Sequence, residues 1–405
     1  MRAQVRPGSV TGSVTAVLVV FAAAGFVMGQ ALSRVPAVRD HVGADTAQLG
    51  LALMGMGLGS LLAMPFTGRL VDRYGSRRVV LVAVLLGCLG WSLVPLVPSV
   101  PTLLLLLVLT GMNIGIWDVA MNIQGTHVEQ ARRRSLMPYF HAAFSGGAVL
   151  GAGSGALAAW LGVGLVQLPV LALVAAVAGA LGATRFVPED DAAGTVAAGI
   201  DAAGIDAAGT DAADAPPARG AVTRVEVLIG LICLAGALAE GSANDWLALL
   251  LVDVHGAPEA FGALTLTAFN LTMMIGRLLG GPAIERFGRV AVVRAGGVLA
   301  GVAILVVTLS PSLLLALAGG LLWGLGVATI FPAAISAAGE VPGRGNRAIT
   351  VVSTIAYGAF LFGAPTIGLV AEQVGLDRAL FLVVGFLVLL VVLGPALAPR
   401  SRSRV

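Results

Sequence analysis

Long apolar runs recur along the whole chain and constrain its fold more than any other feature. Twelve of them have about the 20 residues that a helix needs to cross a hydrocarbon core of about 30 Å. Backbone in lipid must satisfy its own hydrogen bonds, and runs this long do so as helices rather than as the alternating strands of a barrel. The sequence therefore predicts an all-α polytopic membrane protein with twelve transmembrane helices, at residues 13–36, 47–67, 79–98, 101–123, 136–161, 163–187, 225–252, 258–280, 290–310, 312–338, 348–371 and 376–397.

Composition supports a membrane protein and narrows its chemistry. Hydrophobic residues make up 58% of the chain and charged residues 11%, whereas soluble globular domains carry about 25% charged residues. All 24 basic residues are arginines, which excludes the lysine of a P-loop or of a Schiff base. The net charge of +3, without a basic stretch that alternates with aromatic residues, argues against nucleic-acid binding.

Cysteine and histidine spacing argues against metal and enzyme chemistry. Cys88 and Cys233 lie far apart within apolar runs, and no two of the four histidines are four residues apart. A cysteine cluster and a helical zinc-protease motif are therefore excluded, and the GxSxG motif of a serine hydrolase is missing from the sequence. We predict no cofactor, no metal site and no enzymatic activity.

Arginine placement predicts the orientation of the spans, because short cytoplasmic loops retain positive charge and translocated loops do not. With a cytoplasmic N-terminus, 20 of the 24 arginines fall in cytoplasmic segments. We therefore expect a multi-pass protein of a bacterial-type inner (plasma) membrane with both termini in the cytoplasm. A cleaved signal peptide has an apolar region of about 7 to 15 residues, so we interpret the longer first run as a span.

A low-complexity segment joins the two halves of the chain. A five-residue unit of the DAAGT or DAAGI type recurs between Asp191 and Ala215. Small residues and aspartates cannot bury enough apolar surface to offset the cost of ordering. We predict an N-terminal six-helix bundle at residues 1–187, a disordered cytoplasmic linker at 188–224 and a C-terminal six-helix bundle at 225–405.

The two halves are also related in sequence. LVDRYG, which ends at Gly75, matches AIERFG, which ends at Gly288, at an offset of 213. Gly111 corresponds to Gly320 at an offset of 209. Six plus six helices related by duplication is the architecture of many secondary transporters, whose substrate sites lie near the bilayer midplane.

These motifs resemble those of a known family. GRLVDRYGSRR, from Gly68 to Arg78, resembles signature A of the major facilitator superfamily, and GGPAIERFGR is similar to its second copy. WDVAMNIQG, YFHAAFSGG and AEGSANDW resemble the branch that includes the MosC-like and YbjJ-like membrane proteins, distantly similar to sugar permeases of the fucose type. The resemblance covers all twelve spans and implies the major facilitator fold with transport by alternating access.

Two features differ from the drug and proton antiporters of that superfamily. Those antiporters usually carry a basic residue in span four, where this chain has Asp118 and no arginine. Their proline-containing signature in span five is missing from GAVLGAGSG at residues 147–155. Both departures argue against multidrug export without excluding it.

Ionisable side chains inside a span are costly and are therefore candidates for function. Asp118 in span four and His141 in span five are expected at nearly the same depth, where they could form a proton-coupling pair. The alternative is a structural hydrogen bond between the two helices. Asn122 lies one turn beyond Asp118 on the same helix face, whereas Asn113 points away from that face.

Span seven repeats this i, i+4 pattern with Glu240 and Asn244, and Glu240 is our preferred substrate-binding or second protonatable group. Arg34 and Asp245 could close an outer gate as an ion pair, although Arg34 could equally snorkel to the interface. Arg277 in span eight is a weaker candidate, because it could merely reach the cytoplasmic headgroups. Further cavity candidates are Gln30, Asn113, Trp246, Asn270 and Tyr357.

Signature A supplies the inner-gate candidates Gly68, Asp72, Arg73, Gly75 and Arg77. Asp72 can accept hydrogen bonds from a helix N-terminus or pair with an arginine. Such contacts would hold the cytoplasmic side shut. The alternative is that the arginines only anchor the loop on the positive side of the membrane.

The sequence predicts a secondary active transporter that moves a small polar solute by alternating access, coupled to protons. Its partners are that solute, the proton and the lipid bilayer, and we expect a monomer that does not bind nucleic acid. The solute is expected to be sugar-like, polyol-like or cationic, because the buried groups are carboxylates and amides with little fixed positive charge. The alternatives are a non-transporting receptor or sensor on the same scaffold and a drug efflux antiporter.

Overall fold

The computed structural model describes residues 7–132, 136–186, 222–342 and 344–399, and their regular secondary structure is helical. Short turns connect most of the helices, and 3-10 turns follow the fourth and the last of them. The α-helices, in chain order, are α1 (Pro7–Leu32), α2 (Val35–Val42), α3 (Thr46–Tyr74), α4 (Ser76–Leu93), α5 (Val100–Arg132), α6 (Met137–Trp160), α7 (Gln167–Ala183), α8 (Arg224–Asp253), α9 (Glu259–Phe287), α10 (Arg289–Leu309), α11 (Leu313–Val327), α12 (Ile330–Gly339), α13 (Gly345–Val374), α14 (Leu376–Ala379) and α15 (Phe381–Leu393).

Eleven stretches of the described residues are long and apolar enough to cross a bilayer, judged by length and composition. The shorter apolar helix α7 has 17 residues and corresponds to the sixth predicted span. At 1.5 Å per residue it measures about 26 Å, close to the ~30 Å of a hydrocarbon core. The predicted class, an all-α polytopic membrane protein, is confirmed.

Many helix boundaries differ from the predicted spans: α3, α5 and α9 continue past the predicted ends to Tyr74, Arg132 and Phe287. The first span ends at Leu32 rather than at residue 36, because Pro36 lies in the first turn of the separate helix α2, where proline is tolerated. The sixth span begins at Gln167 rather than at residue 163, because the chain turns at Gly162, whose φ is 68°. The tenth span is interrupted between α11 and α12.

The chain divides into two compact units by its spatial contacts. The first contains residues 1–43 and 55–207, and the second contains residues 44–54 and 208–405. The beginning of α3 therefore groups with the second unit. The predicted linker at 188–224 lies almost wholly outside the described residues, and the predicted bundle boundaries stay predictions.

In the first unit, α1 packs closely against α6 through glycines. The backbone carbonyls of Ala22 and Phe26 on α1 lie where Gly147 and Gly151 on α6 would carry a Cβ atom. Small residues allow helix backbones to approach in this way in a membrane. As a consequence α1 is central to its unit, and every side chain from residue 16 to residue 39 is buried or half-buried.

In the second unit, α8 holds the corresponding central position. It packs against α9, α11, α12, α13 and α15. Every side chain from residue 228 to residue 252 is buried or half-buried. Protein therefore covers most of this helix along its apolar length.

The ends of α3 and α9 show the sequence duplication in atomic detail. Gly75 has φ 78° and ψ 147°, and Gly288 has φ 82° and ψ 149°. The arginine two residues before each glycine stacks on the aromatic residue between them, at 5.3 Å for Arg73 over Tyr74 and 5.2 Å for Arg286 over Phe287. Two segments 213 positions apart thus adopt one local conformation, which supports the predicted duplication.

Substitution of Gly288 by alanine should destabilise the second unit through its backbone alone. The backbone of Gly288, with positive φ and extended ψ, disfavours a Cβ atom by about 1–3 kcal/mol, and no described atom lies within 4 Å of the position that this Cβ would take. The matched control is Gly281→Ala, which has equally open surroundings and lies within helix α9. We expect a lower thermal unfolding midpoint in detergent for Gly288→Ala and an unchanged or higher one for Gly281→Ala. Equal midpoints would contradict the backbone explanation.

Candidate functional site

An ion pair in the second unit links two helices that are apolar enough to span a membrane. Nη2 of Arg277 on α9 donates to both carboxylate oxygens of Glu240 on α8, at 3.0 Å each. The side chains are 29% and 23% exposed, respectively. A lone charge at the centre of a membrane helix costs about 2.5–3.5 kcal/mol. Pairing lowers this cost without removing it, which makes the Glu240–Arg277 pair the strongest functional candidate in the described chain.

The sequence neighbours of Glu240 have small side chains. Glu240 lies in the segment AEGSAND, where it is surrounded by small residues. One turn later, Nδ2 of Asn244 donates to the backbone oxygen of Glu240 at 3.1 Å, so the amide is fixed next to the ion pair. Both side chains of the ion pair stay partly exposed in this setting.

The other predicted residues of this unit have more closely packed surroundings. Asn270 is 5% exposed and donates to a backbone oxygen one turn earlier, at 2.9 Å. Trp246 and Trp323 are fully buried, and Trp323 meets Phe269 edge-on with ring centroids 6.1 Å apart. Tyr357 is half-buried on α13. Their roles as cavity residues stay predictions.

In the first unit, Asp118 and His141 have different neighbours. Asp118 is half-buried on α5, and Nδ2 of Asn122 donates to its Oδ1 at 3.2 Å and to its backbone oxygen at 2.8 Å. The exposed imidazole of His141 on α6 meets Phe21 of α1 edge-on, with ring centroids 5.4 Å apart. Asn113 lies beside Gly87 of α4. The proposed coupling of Asp118 to His141 stays a prediction.

A buried polar cluster lies where α1 ends. Gln30 is fully buried and Arg34 is 2% exposed. Ser33 donates through Oγ to the backbone oxygen of Gln30 at 3.0 Å, and Nη2 of Arg34 donates to the backbone oxygen of Val163 at 3.1 Å. The guanidinium is thus buried and hydrogen-bonded to the chain segment before α7. Asp245 is half-buried on α8, and the Arg34–Asp245 gate stays a prediction.

A second carboxylate–arginine pair lies at the start of α8. Glu226 forms a capping box with Thr223 and is completely buried. Arg344, which precedes α13, donates to it through Nε at 2.8 Å and through Nη2 at 3.1 Å. This bidentate hydrogen bond raises the pKa of Arg344 above its ordinary value, so the guanidinium stays charged. The pair ties α8 to the chain segment that enters α13.

The turn at signature A is held by different polar contacts in the two repeats. In the first unit, Oγ of Ser76 donates to Oε1 of Gln124 at 2.6 Å. At the matching position of the second unit, Arg289 forms a salt bridge with Glu340 and donates to Ser336 at 3.2 Å. The signature residues Asp72, Arg73 and Arg77 are exposed, and Gly68 and Gly75 are half-buried. Their role in an inner gate stays a prediction.

Sequence reasoning underestimated the arginines of the second unit. Arg277 was a weaker candidate, and Arg289 and Arg344 were counted only among the cytoplasmic arginines, whereas each has a carboxylate partner. The sequence does mark Glu226, the partner of Arg344, because Thr223 and Glu226 have the spacing of a capping box at a helix start. The other two pairs join different helices and leave no local pattern.

The fold and these sites define a class of protein, a helical membrane transporter built from two related halves. Comparison with known proteins identifies the family. The model of the Major Facilitator Superfamily matches residues 14–265 and 232–404, so the chain belongs to this superfamily and is a multi-pass membrane transporter.

Relatives and solved structures agree with this assignment. The chain is 35% identical to the uncharacterized transporter y4wD of Sinorhizobium fredii, over 92% of this chain and 95% of the relative. It is 29% identical to the membrane protein MosC of Rhizobium meliloti, over 92% and 87%. It shares its fold with a D-xylose-proton symporter at a TM-score of 0.75 and 12% identity, over 98% of this chain and 99% of that one. For the nucleoside transporter NupG the TM-score is 0.69 at 14% identity, over 96% and 98%.

Proposed function

We propose that this protein is a secondary active transporter that moves a small polar solute by alternating access, with protons as the coupling ion. It would work as a monomer in a bacterial-type plasma membrane, with both termini in the cytoplasm. The observation that carries the proposal is the partly exposed Glu240–Arg277 pair on helices apolar enough to span the membrane. A partly exposed charged pair on helices of this kind suits the binding of a polar solute better than it suits packing.

Several features support proton coupling. Carboxylates inside spans change their charge with proton occupancy, and membrane transporters commonly use them as proton relays. Each unit has such a carboxylate with an amide at i, i+4, Asp118 with Asn122 on α5 and Glu240 with Asn244 on α8. The fold neighbour described as a D-xylose-proton symporter is consistent with such coupling. His141 is the third titrating candidate of the proposal.

The proposal can be tested by ligand-induced thermal stabilisation of the purified protein at pH 5.5 and 7.5. The variants Asp118→Asn and Glu240→Gln each replace an ionisable carboxyl group by an amide of nearly the same shape. A ligand at about 100 times its dissociation constant stabilises the folded state by about 2.7 kcal/mol, which is measurable. We expect a solute that stabilises the wild type differently at the two pH values and loses this difference in at least one variant.

The matched control is Glu372→Gln, which removes an exposed carboxylate near the end of α13 and should behave as the wild type does. Equal stabilisation at both pH values and in both variants would refute the assignment of Asp118 and Glu240 as titrating groups. A solute that stabilises the protein but does not enter proteoliposomes would favour the receptor alternative over transport.

A further inference from the structure

We propose that the turn at the first copy of signature A binds the phosphate headgroup of an anionic phospholipid. The binding surface consists of four exposed arginines at the end of α3 and the start of α4, which we call the arginine cluster: Arg69, Arg73, Arg77 and Arg78. The inference goes beyond the proposed transport function and does not depend on the solute or the coupling ion. It concerns a lipid bound at one defined position of the protein, not the general preference of basic loops for one side of a membrane.

The charge of the arginine cluster is not balanced within the described chain. The segment from Gly68 to Arg78 contains these four arginines and one carboxylate, Asp72, which gives it a net charge of +3. None of the four guanidinium groups forms an ion pair or a hydrogen bond with a described residue. Arg73 stacks on the ring of Tyr74 at 5.3 Å, and this contact uses the face of the guanidinium rather than its N–H donors. Within the described chain these donors therefore remain available to a partner.

The start of α4 favours an anion at the same place. The helix begins after Gly75, which provides no side-chain cap, and its first turn contains Arg77 and Arg78 but no acidic residue. Positive side chains are disfavoured at a helix N-terminus, where the backbone N–H groups carry partial positive charge. A phosphate group accepts hydrogen bonds from arginine and from such N–H groups. A phosphate bound by the arginine cluster would thus offset a charge arrangement that the helix by itself disfavours.

The second copy of signature A balances its charges internally. Its turn has the same backbone conformation, yet Val290 and Ala291 stand where the first copy has its two first-turn arginines. Residues 281–291 contain two arginines and one glutamate, and one of these arginines, Arg289, forms its salt bridge with Glu340. Because the two turns share a conformation, the difference between them lies in their side chains. This difference assigns the lipid to the first copy.

Exposed aromatic side chains favour a lipid over a soluble anion. Phe66 on α3 is 57% exposed, and Arg69 and Arg73 follow it at i+3 and i+7, on the same face of the helix. Tyr74 at the end of α3 is 47% exposed, and tyrosine is enriched at membrane–water interfaces. This face passes from an apolar ring to charged groups within about 10 Å, at 1.5 Å per residue. A phospholipid has the same order, because its acyl chains precede its phosphate, whereas a soluble anion has no part that Phe66 could contact.

The test compares two lipids that share their acyl chains and differ in the charge of the headgroup. The full-length protein in a neutral detergent is titrated with dioctanoyl phosphatidylglycerol or dioctanoyl phosphatidylcholine, and bound lipid is counted by native mass spectrometry. Glycerol 3-phosphate supplies a phosphate without acyl chains and so distinguishes a lipid site from a site for a soluble anion. The variants of the arginine cluster are Arg69→Gln/Arg73→Gln and Arg77→Gln/Arg78→Gln.

We expect phosphatidylglycerol to bind the wild type more tightly than phosphatidylcholine does, and salt to weaken this preference, because exposed charges are screened. Each arginine near an anionic membrane surface strengthens binding roughly fivefold, so each double variant should bind phosphatidylglycerol about 30-fold more weakly. The matched control Arg286→Gln/Arg294→Gln removes two exposed arginines from the second unit and should bind this lipid as the wild type does. Because the replaced side chains are exposed, the lipid-free proteins should all unfold at the temperature of the wild type.

The lipid site is rejected if phosphatidylcholine binds as tightly as phosphatidylglycerol, or if both double variants bind phosphatidylglycerol as the wild type does. An equal loss of binding in the control would also reject it, because total charge and not the arginine cluster would then decide the affinity. Displacement of phosphatidylglycerol by an equal concentration of glycerol 3-phosphate would assign a soluble anion and reject the lipid. These outcomes are independent of the transport function, which the solute measurements test separately.

Discussion

Replacement of Arg277 by glutamine is expected to destabilise the second unit. It leaves Glu240 without its partner on a helix that is mostly covered by protein. Removal of one partner of a fully buried pair costs about 3–5 kcal/mol. Both groups here are partly exposed, so we expect about 1–3 kcal/mol after allowing for solvent screening.

The double variant Glu240→Gln/Arg277→Gln separates stability from transport. It contains no uncompensated charge, so its thermal unfolding midpoint should recover most of the loss seen in Arg277→Gln. Solute-driven acidification of proteoliposomes should nevertheless remain absent, since both groups of the site are gone. Arg378→Gln, which removes an exposed arginine, is the control for loss of charge alone. Independent, additive effects of the two substitutions would show that Glu240 and Arg277 are not coupled.

Substitution of Gly151 by alanine should cause a comparable loss in the first unit, through packing alone. A Cβ atom at this position would meet the backbone carbonyl of Phe26 and lie 2.8 Å from the backbone nitrogen of Gln30. Because backbone cannot rotate out of the way as a side chain can, α1 and α6 must separate. Overpacking of this kind costs about 1–3 kcal/mol, and Gly151→Leu should cost more.

The matched control is Gly385→Ala on α15, where no described atom lies within 4 Å of the added Cβ. Alanine favours helix over glycine by about 0.8–1.0 kcal/mol, so this variant should be at least as stable as the wild type. Thermal unfolding midpoints of the two variants in the same detergent test the difference. A Gly151→Ala protein as stable as Gly385→Ala would show that the α1–α6 contact is looser than described.

The candidate site was only partly predictable. Glu240 and Asn244 were found because an ionisable residue in an apolar run, with an amide one turn later, is visible in the sequence. The pairing of Glu240 with Arg277 was not predicted, since the two residues are 37 positions apart on different helices. Whether they meet depends on the rotation and depth of both helices. For the same reason the Asp118–His141 and Arg34–Asp245 pairs could be proposed from depth but not established.

The sequence by itself determined the class of the fold. Twelve apolar runs, the arginine distribution and the repeated signature around Gly75 and Gly288 required a duplicated helical membrane protein, because lipid leaves the backbone no alternative to internal hydrogen bonds. Tertiary structure alone decided which charges meet. The hydrophobicity of a span can be read from its own residues. An ion pair such as Glu240–Arg277 instead requires that two helices present their side chains to each other at the same depth. That arrangement follows from close packing around small residues, which apolar composition does not encode.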